Sequence, residues 1–372
     1  MKLSASKFFL AATIAAVGFS SCETPTDNGY TVPTTYNFDN VSYTGQTNRL
    51  DMMAEITTYI KTAHVSGAAA LDAAKIKDMY GDNTGNHFST AELNNSTKQL
   101  KSKTISTEQA NFEAYMDAVA VASQSTNQVA ANGTAGIATN NAGTKKYLFS
   151  ERGVEYAQII EKGLMGACFY YQGAAVYLGD GKMNVDNETV EPGEGTEMEH
   201  HFDEAFGYFG VPTDFPTNTS GLVFWGKYCN KHEAVYPLNQ KMMDGFLKGR
   251  AAISAKDLTT RDEQRVELKK QWELVVAATA LYYLNKGKDD LTTDQASAFH
   301  SLSEAFGFIM SLKYGANSNI SEAQVNTILT DLFGSSNPIQ ANNYTVTVAK
   351  IEAAKTAIVA SITELASVKD SL

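Results

Sequence analysis

The chain has little of what usually staples or breaks an exported protein: of its 372 residues only three are cysteine and seven are proline. Cys22, Cys168 and Cys229 are too few for a disulfide framework. One bridge between the last two is possible, and two buried free thiols account for them equally well. Cys168 sits in an apolar helical stretch and reads as core. Signatures of common chemistries are also missing. There is no GxSxG, no phosphate-binding loop and no dinucleotide fingerprint despite 27 glycines, and no HExxH, which excludes the two-histidine zinc-protease arrangement. Basic residues are in deficit, 30 against 41 acidic ones, so nucleic acid is excluded as an expected partner. The one long apolar run, Phe8 to Phe19, is too short and wrongly flanked for a membrane span.

That run is instead the centre of a secretory signal. Lys2 and Lys7 precede it and small residues follow, up to Cys22. The stretch "FSSC" resembles a bacterial lipobox, so the mature chain is expected to begin at a lipidated Cys22 and to be held on a membrane by its acyl chains. Loss of the two lysines brings the net charge from −11 to −13. The predicted division is a signal peptide over 1–21, a lipidated tether over 22–36, rich in Thr, Pro, Asn and Gly, and a folded domain over 37–372.

Within that domain the apolar period is helical. Leu50, Met53, Ile56, Tyr59 and Ile60 recur at spacings of three and four, and similar stripes run over 108–124, 154–177, 197–209, 238–255, 263–285, 294–312, 321–333 and 346–368. The fold class expected is all-α and multi-helix, with a boundary between two helical halves near 215–235. Residues 123–146, rich in Asn, Gly, Thr and Ala, read as a surface loop or loose crossover. Gly207, Gly210, Pro212 and Pro216 are expected to stop the helix that passes through Glu204, and Thr293 to cap another. "EAFGYF" at 204–209 resembles "EAFGFI" at 304–309, "CFYYQ" and "ALYYL" precede them in the same order, and a histidine stands before each glutamate. We read these as a duplicated helix pair.

The chemistry concentrates in "EMEHHFDEAFGYFGVP". Residues three or four apart share a helical face, so His201 stands beside Glu204, while His200 and His201 diverge by about 100°. An imidazole and a carboxylate aimed into a bundle are half of a metal site. The other half must come from another helix, and Glu155, Gln158 and Glu161 on "VEYAQIIEKGLMGA" are the candidates. One imidazole with several oxygens favours iron or zinc over calcium. The bland alternative is a hydrogen-bonded pair or a solvated face. His64, His87 and His232 have no evident partners in the sequence.

These residues resemble the imelysin-like proteins, exported iron-regulated proteins first described as insulin-cleaving peptidases. "VSYTGQTNRLDMM", "IIEKGLMGACFYYQ" and "HFDEAFGYFGVP" resemble more closely an uncharacterised lipoprotein domain family allied to them. The resemblance implies two pseudo-repeated four-helix bundles and a GxHxxE metal motif, whose His and Glu match His201 and Glu204. Its glycine is replaced here by Glu199. It also implies a role in iron or haem acquisition at the outer membrane, periplasmic or surface-exposed, beside a TonB-dependent receptor. Three readings follow: a binding protein for a metal ion or metal-bearing ligand, with His201, Glu204, Glu161 and Gln158 as ligands; a metal-dependent peptidase; and a scaffold whose His and Glu bond only each other. A non-enzymatic role is the leaning. A buried His201, satisfied by local groups, favours the scaffold.

Overall fold

The computed structural model describes residues 24–25, 29–316 and 318–372. Cys22 and the signal segment lie outside them. Among the described residues thirteen α-helices form: α1 Thr44–Lys61, α2 Ala73–Tyr80, α3 Ala91–Asn95, α4 Gln109–Ser123, α5 Tyr156–Leu164, α6 Asp180–Met183, α7 Glu197–Phe209, α8 Phe224–His232, α9 Asn239–Ser254, α10 Leu258–Asp290, α11 Gln295–Ser311, α12 Glu322–Phe333 and α13 Val348–Ser361. The class is all-α, as the helical period predicts. Helix α5 runs straight on into a wider π-helical stretch, Met165–Tyr177. Such stretches are rare beyond a single turn. None of the helices described is long and apolar enough to cross a membrane.

Helix α10, the longest, packs on α9 and α11; α11 packs on α5; the π segment packs on α7; and α1 packs on α2 and α7. One contiguous hydrophobic core joins them. It passes straight through the stretch expected to separate two halves, because α8 lies there and its fully buried Trp225 donates from Nε1 to the Met165 carbonyl at 2.8 Å. Cys168 and Cys229 are both buried and free.

Local chemistry sets the helix ends. Thr196 caps α7 in a reciprocal box: its hydroxyl accepts from the Glu199 amide at 3.2 Å, and the Glu199 carboxylate accepts from the Thr196 amide at 2.9 Å. Gly210, at φ +80°, ends the same helix in the left-handed region. Gly207 does not stop it. A side chain there would meet Tyr43, just before α1, and Gln46 of α1 at 2.7 and 2.9 Å, so this glycine lets α7 press onto the start of α1. Gly307, in the second "EAFG", likewise faces Lys162 and Gly163 of α5. The cap of α11 is Asp294 rather than Thr293, since its carboxylate reaches the Ser297 amide at 3.1 Å.

Two expectations fail for identifiable reasons. Residues 136–149 are not a loose crossover: Gly136–Thr139 pairs antiparallel with Lys146–Phe149. Ile137, Tyr147, Leu148 and Phe149 are buried, so a short apolar hairpin hides inside an Asn- and Gly-rich composition. The tether also ends earlier than residue 36. Tyr36 is 1% exposed, stacks on Phe206 at 3.8 Å between ring centroids, and donates its hydroxyl to Asp203 at 2.8 Å. A single aromatic anchor docks the end of a polar segment into the core.

Candidate functional site

Helix α7 brings His201 and Glu204 together. His201 Nδ1 lies 3.1 Å from Glu204 Oε2, and His201, 8% exposed, is buried where His200 is only half-buried. The environment of the pair is crowded with protein groups. Gln46 Nε2 of α1 and the Tyr177 hydroxyl of the π segment both donate to Glu204 Oε1, at 2.7 and 2.9 Å. Lys103 Nζ reaches that tyrosine hydroxyl at 2.8 Å. The second ring nitrogen of His201 faces Lys182 Nζ of α6 at 3.1 Å and the Glu197 carboxylate at 3.5 Å. Burial works to raise the Glu204 carboxyl, but hydrogen bonds from His201, Gln46 and Tyr177 and the nearby His200 outweigh it and hold the group below the ordinary carboxylate range.

The donor chemistry here does not fit a resident metal ion in this arrangement. An ammonium group occupies the position a metal would take on His201 Nε2, and the Glu204 oxygens are already bonded. What the pair does is lock four elements, α1, α6, α7 and the π segment, around one carboxylate.

Glu161 and Gln158, expected to complete that site, stand in a different cluster. Glu161 pairs with Lys61 at 2.8 Å and Lys162 at 2.6 Å, and although burial opposes it, the two ammonium groups pull its carboxyl down to about 2. Gln158 Nε2 donates to Glu155 Oε1 at 2.9 Å. Glu155, fully buried at the N-terminal end of α5, also meets His300 of α11: Nδ1 stands 2.6 Å from its Oε2. Burial would raise the Glu155 carboxyl, yet the charge and hydrogen bond of His300 keep it low. The same contact raises His300 against its own burial.

Further groups converge on the same place. His300 Nε2 lies 3.4 Å from Glu304 Oε2, and Lys162 Nζ is 3.5 Å from the other oxygen of Glu304. His64, just past the end of α1, directs Nε2 to within 3.8 Å of Glu155 Oε1 without bonding to any group. Gln158 Oε1 is also buried and unpartnered. The Tyr147 ring from the hairpin stacks on His300 at 4.5 Å. Among the described residues no group of three or more His, Cys, Asp or Glu side chains is spaced to hold a metal ion as it stands.

Sequence reasoning places His201 beside Glu204 because both lie on one helix. It misses His64 and the pairing of Glu155 with His300, which joins residues 145 positions apart. The one signal in the chain for this second cluster is the repeat, which sets His300 before Glu304 as His200 stands before Glu204.

The architecture defines an all-α protein with two internal His–carboxylate clusters, each wedged between helices. Residues 33–353 match a family described as "Domain of unknown function (DUF4856)", and the chain belongs to that family. No curated protein and no solved structure matches it.

Proposed function

We propose that the chain is a lipid-anchored helical binding protein of the cell envelope that takes up a metal ion or metal-bearing ligand and passes it to a transport component. The observation supporting this is the Glu155 cluster, where two imidazoles and an amide meet one fully buried carboxylate and two polar atoms, His64 Nε2 and Gln158 Oε1, lack any partner. Buried polar atoms without partners are costly and are retained where something else satisfies them. The wider imelysin-like relationship, with its link to iron or haem and TonB-dependent receptors, is part of this proposal and rests on sequence resemblance at His201 and Glu204. Outer-membrane placement is proposed on the lipobox-like "FSSC".

A second reading, the interaction scaffold, has its own observation. His201 has a protein group at both ring nitrogens, which is how a structural pair looks. The peptidase alternative gains nothing at His201, where no coordination position is open to bind and activate a water.

Anchoring is tested by substitution of Cys22. Cys22→Ala is expected to shift the protein from the membrane fraction to the soluble fraction, because two acyl chains hold a protein on a bilayer where none does not. Membrane fractionation unchanged by the substitution would remove the anchor from the account.

A further inference from the structure

The Glu155 cluster has the composition of a small transition-metal site. We propose that His64 Nε2, the Glu155 carboxylate and His300 Nδ1 bind one divalent transition-metal ion of the zinc or ferrous class. This deepens the binding function proposed above and rests on it, but it moves the ligand set away from His201 and Glu204.

The geometry carries the assignment. The three groups come from the end of α1, the start of α5 and the middle of α11, so they approach Glu155 from separate elements. His64 Nε2 and His300 Nδ1 face different oxygens of one carboxylate, at 3.8 and 2.6 Å. Ligands around a tetrahedral zinc, each at about 2.0–2.2 Å, stand roughly 3.3 Å apart. His64 therefore has to close by about half an ångström and His300 to withdraw by somewhat more. A metal ion entering there replaces the proton that now bridges His300 and Glu155.

Two imidazoles and one carboxylate suit zinc or ferrous iron rather than calcium or magnesium. One atom is already free for it: His64 Nε2 is buried and has no hydrogen-bond partner.

The surroundings supply what metal-binding histidines usually have. With Nδ1 on the metal, His300 Nε2 lies 3.4 Å from Glu304 Oε2, near enough for that carboxylate to become the partner that orients the ring. Tyr147 stacked on the ring fixes its plane. Charge is compatible as well. Glu155, Glu161 and Glu304 face Lys61 and Lys162, so with neutral imidazoles the cluster is one negative charge in excess before a cation arrives. The His300 side chain is 26% exposed, which leaves a route from solvent to the carboxylate beneath it.

The test is calorimetric titration of the full chain with Zn²⁺, and with Fe²⁺ under anaerobic conditions, for wild type, His64→Ala, His300→Ala and His201→Ala. The expected result is one saturable site in the wild type. Affinity should fall by more than about 100-fold in His64→Ala and His300→Ala and by less than about threefold in His201→Ala, while Glu304→Gln should cost about tenfold by loosening His300. Circular dichroism checks folding of each variant. If His64→Ala does not fold, the more exposed His300 position decides alone. Binding lost in His201→Ala but kept in the other two would overturn this assignment and leave the binding function standing. Equal binding in every variant would mean surface adsorption and overturn it too. No binding in the wild type would end both this assignment and the metal-binding function.

Discussion

Replacing Arg250 by methionine is expected to destabilise the protein by about 3–5 kcal/mol, the range seen when one partner of a buried ion pair is removed. Arg250 is fully buried in α9. Its Nε donates to Asp203 Oδ1 at 2.9 Å, its Nη1 to Glu199 Oε1 at 2.6 Å, and Tyr36 donates to the same Asp203 oxygen. Both acids lie on α7, on the side away from Glu204, so the guanidinium ties the site helix to α9 and to the N-terminal segment. Without it Asp203, itself fully buried, faces a low-dielectric interior with only the neutral Tyr36 hydroxyl beside it. Burial already pushes its carboxyl up to about 6 with Arg250 alongside; without the arginine it takes a proton near neutral pH, which caps the loss. Arg250→Met/Asp203→Asn should then recover a substantial part, because the stranded carboxylate is gone. Urea unfolding of the two variants and the wild type measures both effects. A loss under about 1 kcal/mol for Arg250→Met would show that the network contributes no more than a surface pair.

Trp272→Ala is expected to cost a similar amount, about 3–5 kcal/mol, through loss of contact and the cavity left behind. Trp272 is fully buried in α10, edge-on to Phe209 with centroids 5.1 Å apart and tilted against Tyr170 at 5.8 Å. Its six-membered ring fills the space over Gly173 in the π segment, where a side chain would stand 2.4 Å from the indole. Because Gly173 has no side chain, nothing on that wall can move into the void. Trp272→Phe should cost much less. It keeps most of the ring contact and removes an indole N–H that is buried without a partner. The same unfolding measurement separates the two, and equal losses for Ala and Phe would contradict the packing account.

Much of the fold is readable from spacing, and the failures follow one rule. The stripe over 197–209 ends where α7 ends, and the stripe over 321–333 becomes α12 between a Ser321 cap and Gly334, because helix period and caps are local properties. Tyr36 escapes the reading because the segment around it is polar and its partner Phe206 lies far along the chain. The hairpin at 136–149 escapes because four-residue strands carry too little alternation to stand out from Asn and Gly.

The site divides in the same way. His201 and Glu204 can be paired from three-residue spacing, whereas Lys182, which caps the outer nitrogen of His201, comes from another helix and leaves no pattern. Glu161 and Gln158 sit on the helix expected for a second set of ligands. The packing of α11 on α5, made close by Gly307, leaves them bonded to Lys61, Lys162 and Glu155 rather than to His201. The "EAFG" repeat marks both places where a glycine-backed helix brings a glutamate to its neighbour.

The central claim is that the His–carboxylate cluster around Glu155 is where a metal ion is held. The measurement that addresses it most directly is an anomalous difference map, collected at the zinc edge, from crystals of the chain grown with one equivalent of Zn²⁺. The account predicts a single peak between His64 Nε2, the Glu155 carboxylate and His300 Nδ1, with the Lys182 ammonium still seated on His201. A peak between His201 and Glu204, or none inside the protein at all, would contradict it.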